Sequence, residues 1–157
     1  MQLALQLASQ GRGCVEPNPM VGAVLVRFTD DGPVELARGW HRRFGGPHAE
    51  AECLAAARAA GADPRGAVMY VTLEPCFAFP GKKTPPCSEA LISAGLGRVV
   101  VAMTDPDRNV AGRGIDALRA AGIAVDVGIC QAQAAQLLAP YIKLRTQGRP
   151  WVTCKWA

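Results

Sequence analysis

Val68-Met69-Tyr70-Val71-Thr72-Leu73-Glu74-Pro75-Cys76 is the stretch whose reading decides the fold. Its first six residues are apolar or β-branched without alternation, which predicts a strand over 68–73 buried on both faces. Pro75 cannot continue that strand and leaves Cys76 in a loop. A second run, Arg98-Val99-Val100-Val101-Ala102-Met103, repeats the pattern after a helix predicted over 88–94. Strand, helix and strand in succession predict a right-handed parallel crossover. The loops after Leu73 and Met103 then open at the same end of the sheet, where α/β proteins usually build their sites.

Upstream, Val21–Phe28 and Val34–Gly39 read as two strands around the turn 29–33 (Thr-Asp-Asp-Gly-Pro). A connection that short makes them antiparallel. A short helix is predicted over 3–10. Pro17-Asn18-Pro19 must be extended or turned, because each proline restricts its predecessor. Gly45-Gly46-Pro47 opens a helix over 48–60 that stops at Gly61. Downstream, a loop covers 105–114, a helix 115–121, a strand 123–127 and a final helix 130–146, with a break expected at Pro140. The expected fold class is α/β: a three-layer α/β/α arrangement with a central mixed five-stranded sheet.

Half of the 157 residues are apolar and 19% are charged, which suits a packed domain and excludes a disordered one. No apolar run approaches the ~18–20 residues of a membrane span, so no membrane partner is expected. The first ten residues lack a basic leader and read as a helix, not a signal peptide. The expected location is therefore cytoplasmic. In that reducing compartment six cysteines point to metal or catalysis before disulfides. The net charge of +4 comes from the tail: Lys143, Arg145, Arg149 and Lys155 all follow Asp126, the last acid. A neutral body with a basic tail argues against nucleic acid, which needs a clustered basic face.

The chemistry concentrates in His48-Ala49-Glu50, Pro75-Cys76 and Cys87. One neutral imidazole and two thiolates serve zinc well and leave a fourth position for water. Two thiolates cancel the metal's charge, so a nearby carboxylate, Glu50, should help take the water's proton. Two residues on an ideal helix lie about 200° apart. His48 and Glu50 can therefore share one site only beyond the helix's N-terminal end. Cys87 stands at the start of the next helix, where the dipole favours a thiolate. Two plainer readings compete. The residues could be unrelated core side chains. Alternatively, zinc could be structural, with a fourth ligand from Cys14, Cys53, Cys130, Cys154 or His41. The four spare cysteines are expected to be small buried apolar residues.

Longer motifs carry a resemblance. They are Pro17-Asn18-Pro19-Met20-Val21-Gly22-Ala23-Val24, Gly45-Gly46-Pro47-His48-Ala49-Glu50 and Val71-Thr72-Leu73-Glu74-Pro75-Cys76. Thr84-Pro85-Pro86-Cys87 and Val110-Ala111-Gly112-Arg113-Gly114 complete the set. The chain resembles the cytidine-deaminase superfamily. Within it, the match is to the deaminase domain of the bifunctional riboflavin-biosynthesis deaminase/reductase. That resemblance implies a cytidine-deaminase-like fold and a small pyrimidine nucleotide substrate, 2,5-diamino-6-ribosylamino-4(3H)-pyrimidinone 5′-phosphate. The product would be 5-amino-6-ribosylaminouracil 5′-phosphate with release of ammonia. It implies Zn2+ held by His48, Cys76 and Cys87, with Glu50 catalytic and moving the protons. It also implies substrate contacts from Asn18, His41, Lys83, Thr84 and Asp105. Read alone, His41 would be a surface residue beside Arg42 and Arg43.

The inter-cysteine loop is two residues longer than the family's usual Ser-His-x-Gly-Lys/Arg-Thr-Pro-Pro and has no histidine. Asp107 stands where the family usually has asparagine. A second carboxylate there would repel a phosphate-bearing ligand unless paired, for example with Arg108. Residues 149–157 resemble the start of the family's reductase domain. The expected division is a zinc deaminase domain over 1–146 and a linker with the start of an otherwise absent reductase over 147–157. A reductase in cis or in trans and a homo-oligomer are the expected partners. The rival functions are a zinc deaminase of tRNA adenosine or a free base, and a non-catalytic zinc-stabilised domain.

Overall fold

A computed structural model describes residues 1–78, 85–108 and 110–156 of the chain. The elements in order are α1 (Gln2–Ser9), β1 (Gly22–Thr29), β2 (Gly32–Trp40), α2 (Ala49–Ala59), β3 (Val68–Val71), α3 (Cys87–Ser93), β4 (Arg98–Val101), α4 (Arg113–Ala120), β5 (Ala124–Val127), α5 (Gln131–Leu137) and α6 (Ala139–Gln147). The strands form one sheet in the order β2-β1-β3-β4-β5. β1 runs antiparallel to β2 and β3, whereas β3, β4 and β5 are parallel. The expected mixed five-stranded sheet is therefore present. No helix among the described residues is long and apolar enough to cross a membrane.

Alternation along β1 builds the layers, because successive side chains leave opposite faces of a strand. Ala23 and Leu25 join the main core with Ala49, Cys53 and Ala57 of α2, Leu91 of α3 and Leu118 of α4. Val24 points the other way and packs with Ala4 and Leu7 of α1. On that second face Leu5 of α1 also meets Ala102 and Ala134 of α5. Helices thus cover both faces, as the three-layer expectation required.

The strand ends differ from the sequence reading in an informative way. β3 stops at Val71 and β4 at Val101, so Thr72–Cys76 and Ala102–Asp105 leave the sheet together at the C-terminal end of these two neighbouring strands. The Glu74 N–H still donates to the Met103 carbonyl, which keeps the two exits side by side. The final helix is split as expected. Pro140 has no N–H to give the Gln136 carbonyl, and a new helix starts with it in the first turn.

α2 lies very close to β2. A Cβ on Gly39 would sit 2.5 Å from the Cys53 nitrogen and 2.7 Å from the Ala49 carbonyl oxygen. Only glycine allows that approach, and it fixes the first turn of α2, which carries Glu50. Gly39→Ala should lower stability by about 1–3 kcal/mol through overpacking. A urea unfolding curve checks this, and an unchanged midpoint would show that α2 can move away from β2 at no cost.

Candidate metal centre and active-site cleft

His48 precedes α2 with an extended backbone (φ −75°, ψ 163°) and is not part of the helix. This resolves the angular conflict with Glu50, since the helical offset does not apply to a residue outside the helix. Pro47 and the extended His48 aim the imidazole across the helix end. Its Nδ1 lies 3.5 Å from Cys76 Sγ and 3.3 Å from Cys87 Sγ. A tetrahedral zinc with Zn–N ~2.05 Å and Zn–S ~2.3 Å would separate such atoms by about 3.6 Å. All three donor atoms lie within 4.8 Å of one another, and among the described residues no other histidine, cysteine or acid joins them. The donor set fits zinc, which would hold a fourth, non-protein ligand. A structural site with a fourth protein ligand finds no support among the described residues.

The two cysteines are tied together by backbone groups. The Cys87 N–H donates to Cys76 Sγ at 3.2 Å, and the Ser88 N–H and hydroxyl both reach the Cys76 carbonyl at 3.2 Å. Cys87 is the first residue of α3. Two thiols so close cannot both ionise without a cation. Cys76 is drawn down to about 3, first by its hydrogen bond with Cys87 and then by His48. Cys87 is pushed up by that same bond, by burial and by the charges on Glu50 and Cys76. A dication at the centre of the triangle relieves this conflict, because it favours the thiolate form of both.

Glu50 is 3% exposed and lies within hydrogen-bonding reach of Cys87. Burial raises its carboxyl to about 7, the charge on Cys76 adds to that, and His48 opposes it. Such a group can take and return a proton near neutrality.

These residues open into a cleft of about 190 Å³, whose lining includes Asn18, His41, Asp105 and Tyr141. His41 is buried, contrary to the surface position its basic neighbours suggested. Its Nδ1 lies 2.8 Å from the Pro47 carbonyl, which can only accept, so Nδ1 carries the hydrogen. Nε2 is then the acceptor for the Asn18 amide at 3.3 Å. Burial lowers the His41 pKa and keeps the ring neutral. The ring meets His48 edge-on, with centroids 5.5 Å apart. His41 thus orients Asn18 towards the cleft and backs the metal ligand. Lys83 and Thr84 lie outside the described residues.

Three residues not singled out in the sequence shape the rest of the cleft. Glu74 is a buried carboxylate that accepts N–H bonds from Asp105 (3.1 Å), Gly112 (2.9 Å), Gly114 (2.9 Å) and Ile115 (3.3 Å). It gathers the loop after β4 and neutralises the start of α4. A Cβ on Gly114 would come within 1.9 Å of the Pro75 carbonyl oxygen, so glycine is required there too. Tyr141 donates its hydroxyl to Asp105 at 3.0 Å. Arg145, one turn further along α6, pairs with Asp107 at 3.4 Å. The countercharge expected for Asp107 thus comes from α6. The signal for Glu74 was an acid beside a buried strand and a run of glycine amides needing an acceptor.

The spare cysteines correct one expectation. Cys53 is buried, and burial pushes its thiol up to about 12. Cys14 and Cys154, however, are exposed, and Cys130 is half-buried. Cys14 and Cys154 sit in a turn after α1 and in the terminal segment, away from any core face, whereas Cys130, just before α5, packs against the small cluster of Leu5, Ala102 and Ala134.

A sequence model of the family described as "Cytidine and deoxycytidylate deaminase zinc-binding region" matches residues 1–103. The riboflavin biosynthesis protein RibD of Aquifex aeolicus is 46% identical over 157 residues, which is 100% of this chain and 42% of that protein. RibD of Escherichia coli is 46% identical over 155 residues, 99% of this chain and 40% of that protein. A solved Thermotoga maritima structure is described as a diaminohydroxyphosphoribosylaminopyrimidine deaminase/5-amino-6-(5-phosphoribosylamino)uracil reductase. It superposes with a TM-score of 0.88 at 41% identity, covering 96% of this chain and 41% of that one. The chain therefore spans about two fifths of the length of these relatives.

Two outcomes follow from this geometry. Replacing Cys76 or Cys87 with serine should reduce zinc from about one ion per chain to less than about a tenth, because a three-residue site loses a ligand it cannot replace. Metal analysis after gel filtration reads this, and full zinc retention would point to other donors. The second concerns Asp105, which burial raises from 3.8 to about 6. Between those values the folded chain holds a proton that the unfolded chain has released, so this group makes stability fall as pH rises from about 4 to about 6. Asp105→Asn should remove that slope and leave the chain at least as stable as the parent at neutral pH. Urea unfolding across that range tests it, and a uniform loss of stability at every pH would contradict it.

Proposed function

This chain belongs to the family of cytidine and deoxycytidylate deaminase zinc-binding domains, and from that premise we propose that it hydrolytically deaminates 2,5-diamino-6-ribosylamino-4(3H)-pyrimidinone 5′-phosphate. The product is 5-amino-6-ribosylaminouracil 5′-phosphate, and the reaction belongs to riboflavin biosynthesis. The observation that carries the reading is a buried carboxyl, Glu50, beside a His48-Cys76-Cys87 triangle of zinc dimensions at the floor of a cleft. The names of the relatives support the substrate.

Zinc, when bound, supplies the Lewis acidity that makes a water nucleophilic near neutrality. The chain's own groups do the rest. Glu50 accepts the water's proton as the oxygen adds to the amino-bearing ring carbon. It passes that proton to the adjacent ring nitrogen. It then carries a second proton from the added oxygen to the amino nitrogen as the C–N bond breaks. Water and amine become carbonyl and ammonia, and Glu50 ends as it began. Asn18, fixed by His41, offers its amide to the ring's polar edge. Asp105, held by Tyr141, offers a hydrogen-bond acceptor on the opposite side.

The same reading assigns residues 1–146 to the catalytic domain and 147–157 to the lead into a reductase that acts on the product, in cis or in trans. α6 ends at Gln147 with Gly148 as its cap, and residues 149–156 are exposed and without regular structure, in keeping with a linker. Six free cysteines fit the reducing cytoplasm. Exposed Phe28, Val127 and Ile129 suit a homo-oligomer.

The test is ammonia release from the diaminopyrimidine nucleotide, measured beside cytidine, dCMP, guanine and an adenosine-bearing tRNA hairpin. Activity confined to another of these substrates would replace the proposed one. Glu50→Gln should keep zinc and the unfolding midpoint but lose about 10²–10⁴-fold in turnover. Equal turnover by parent and variant would remove Glu50 from the chemistry.

A further inference from the structure

The cleft has an electrostatic problem that its metal centre does not solve. Glu50, Glu74, Asp105 and Asp107 all line it. Among the described lining residues, the two ring nitrogens of His41 are engaged by the Pro47 carbonyl and the Asn18 amide, and His48 faces the two sulfurs. Arg145 is the one permanently cationic side chain in that lining. A ligand that carries a phosphate would otherwise enter against the carboxylates.

Arg145 is built to receive such an anion. It projects from α6 at the cleft wall with its side chain 39% exposed, while its partner Asp107 is 18% exposed. Its guanidinium lies 5.3 Å over the ring of Tyr141, four residues earlier on the same helix. Tyr141 is in turn fixed by its bond to buried Asp105. The fork is therefore held from behind by a ring and from the side by a carboxylate. A guanidinium has five donors, more than one carboxylate can engage at once, and it pairs with Asp107 at 3.4 Å through a terminal nitrogen. The planar fork matches two phosphate oxygens at once, which an ammonium cannot do.

We propose that Arg145 is a specificity-determining residue: it anchors the 5′-phosphate of the nucleotide substrate at the cleft mouth, with Asp107 holding the guanidinium in place. The inference rests on the deaminase reading above and names the group that selects a phosphorylated substrate within it. Asp107 serves as the countercharge that orients the fork between turnovers. The incoming phosphate competes for the same donors, so binding exchanges one charge-assisted contact for another.

The test compares the parent with Arg145→Met, Arg145→Lys, Asp107→Asn and the double substitution Lys82→Ala/Lys83→Ala. Methionine keeps an apolar stem against Tyr141 and removes the charge. Two readouts are used: steady-state deamination of the diaminopyrimidine nucleotide and of its dephosphorylated nucleoside, and calorimetric binding of ribose 5-phosphate against ribose. Arg145→Met should raise KM for the nucleotide by about 10–100-fold, the range of a lost charge-assisted bond. It should leave kcat within about twofold and the nucleoside unaffected. It should also abolish the preference for ribose 5-phosphate. Arg145→Lys should recover part of the loss, since charge returns without the fork. Asp107→Asn keeps an oxygen that can orient the guanidinium and removes the charge that competes with phosphate, so the preference for phosphate should persist.

Equal losses on nucleotide and nucleoside in Arg145→Met would assign Arg145 a purely structural role and overturn the proposal. So would a loss of phosphate preference in the double lysine substitution but not in Arg145→Met. If the parent fails to deaminate the nucleotide yet binds ribose 5-phosphate through Arg145, the reaction assignment fails and the anion site stands.

Discussion

Two sulfurs and an imidazole nitrogen crowd into a space that only a small dication can make comfortable. Cys76 and Cys87 cannot both be thiolates unless positive charge lies between them. The fold forces them together all the same. β3 delivers Cys76, the start of α3 delivers Cys87, and bonds from Cys87 and Ser88 to Cys76 hold the pair. His48 is brought from the other side by Pro47 and α2. The protein has therefore stored an electrostatic conflict at the C-terminal end of its parallel strands, and metal binding resolves it. The favourable free energy of that binding also stabilises the fold.

Three buried carboxyls near this end meet different fates, and the differences sort structure from chemistry. Glu74 is saturated by four backbone N–H groups and serves as an internal cap for the loop and for α4. Asp105 is raised to about 6 by burial, with a backbone N–H and the Tyr141 hydroxyl holding it in place. Glu50 is buried beside a sulfur charge and raised to about 7. A carboxylate spent on four backbone N–H groups is committed to holding the chain together. Of the three, Glu50 combines a suitable proton affinity with contact to the metal ligands.

Much of this was legible in local sequence because local rules govern it. The strand run at 68–73, the proline at 75, the glycine-proline entry at 46–47 and the break at Pro140 each act over a few residues. His48, Cys76 and Cys87 could be placed from strand ends and helix starts alone. Apart from the metal triad, whose residue types announce one another, sequence did not provide the contacts made across 30 or more positions. The Glu74 bonds reach residues 31 to 41 positions away, and the Tyr141–Asp105 bond spans 36. His41 looked exposed because Arg42 and Arg43 follow it. The turn after β2 in fact directs it inward while its neighbours stay outside. Cys14 and Cys154 looked buried by residue type, but neither lies on an element with a core face.

The cleft also divides its labour along the chain. His48, Glu50, Cys76 and Cys87 all fall within residues 1–103, the part matched by the family as a whole. Asp105, Asp107, Tyr141 and Arg145 fall after it. The first group meets a demand shared by every reaction that replaces an amino group with oxygen: an activated water and a proton carrier. The second group forms the opposite wall, and its two carboxyls are each matched to a partner on α6, Asp105 to the Tyr141 hydroxyl and Asp107 to the Arg145 guanidinium. On the proposed reading that wall leaves water activation to the first group and meets the rest of the substrate. α6, which follows the part matched by the family, supplies two of those four side chains. On the proposed reading, reaction type is legible in the metal motif alone, whereas selection of the substrate draws on the wall that α6 and the loop it faces build.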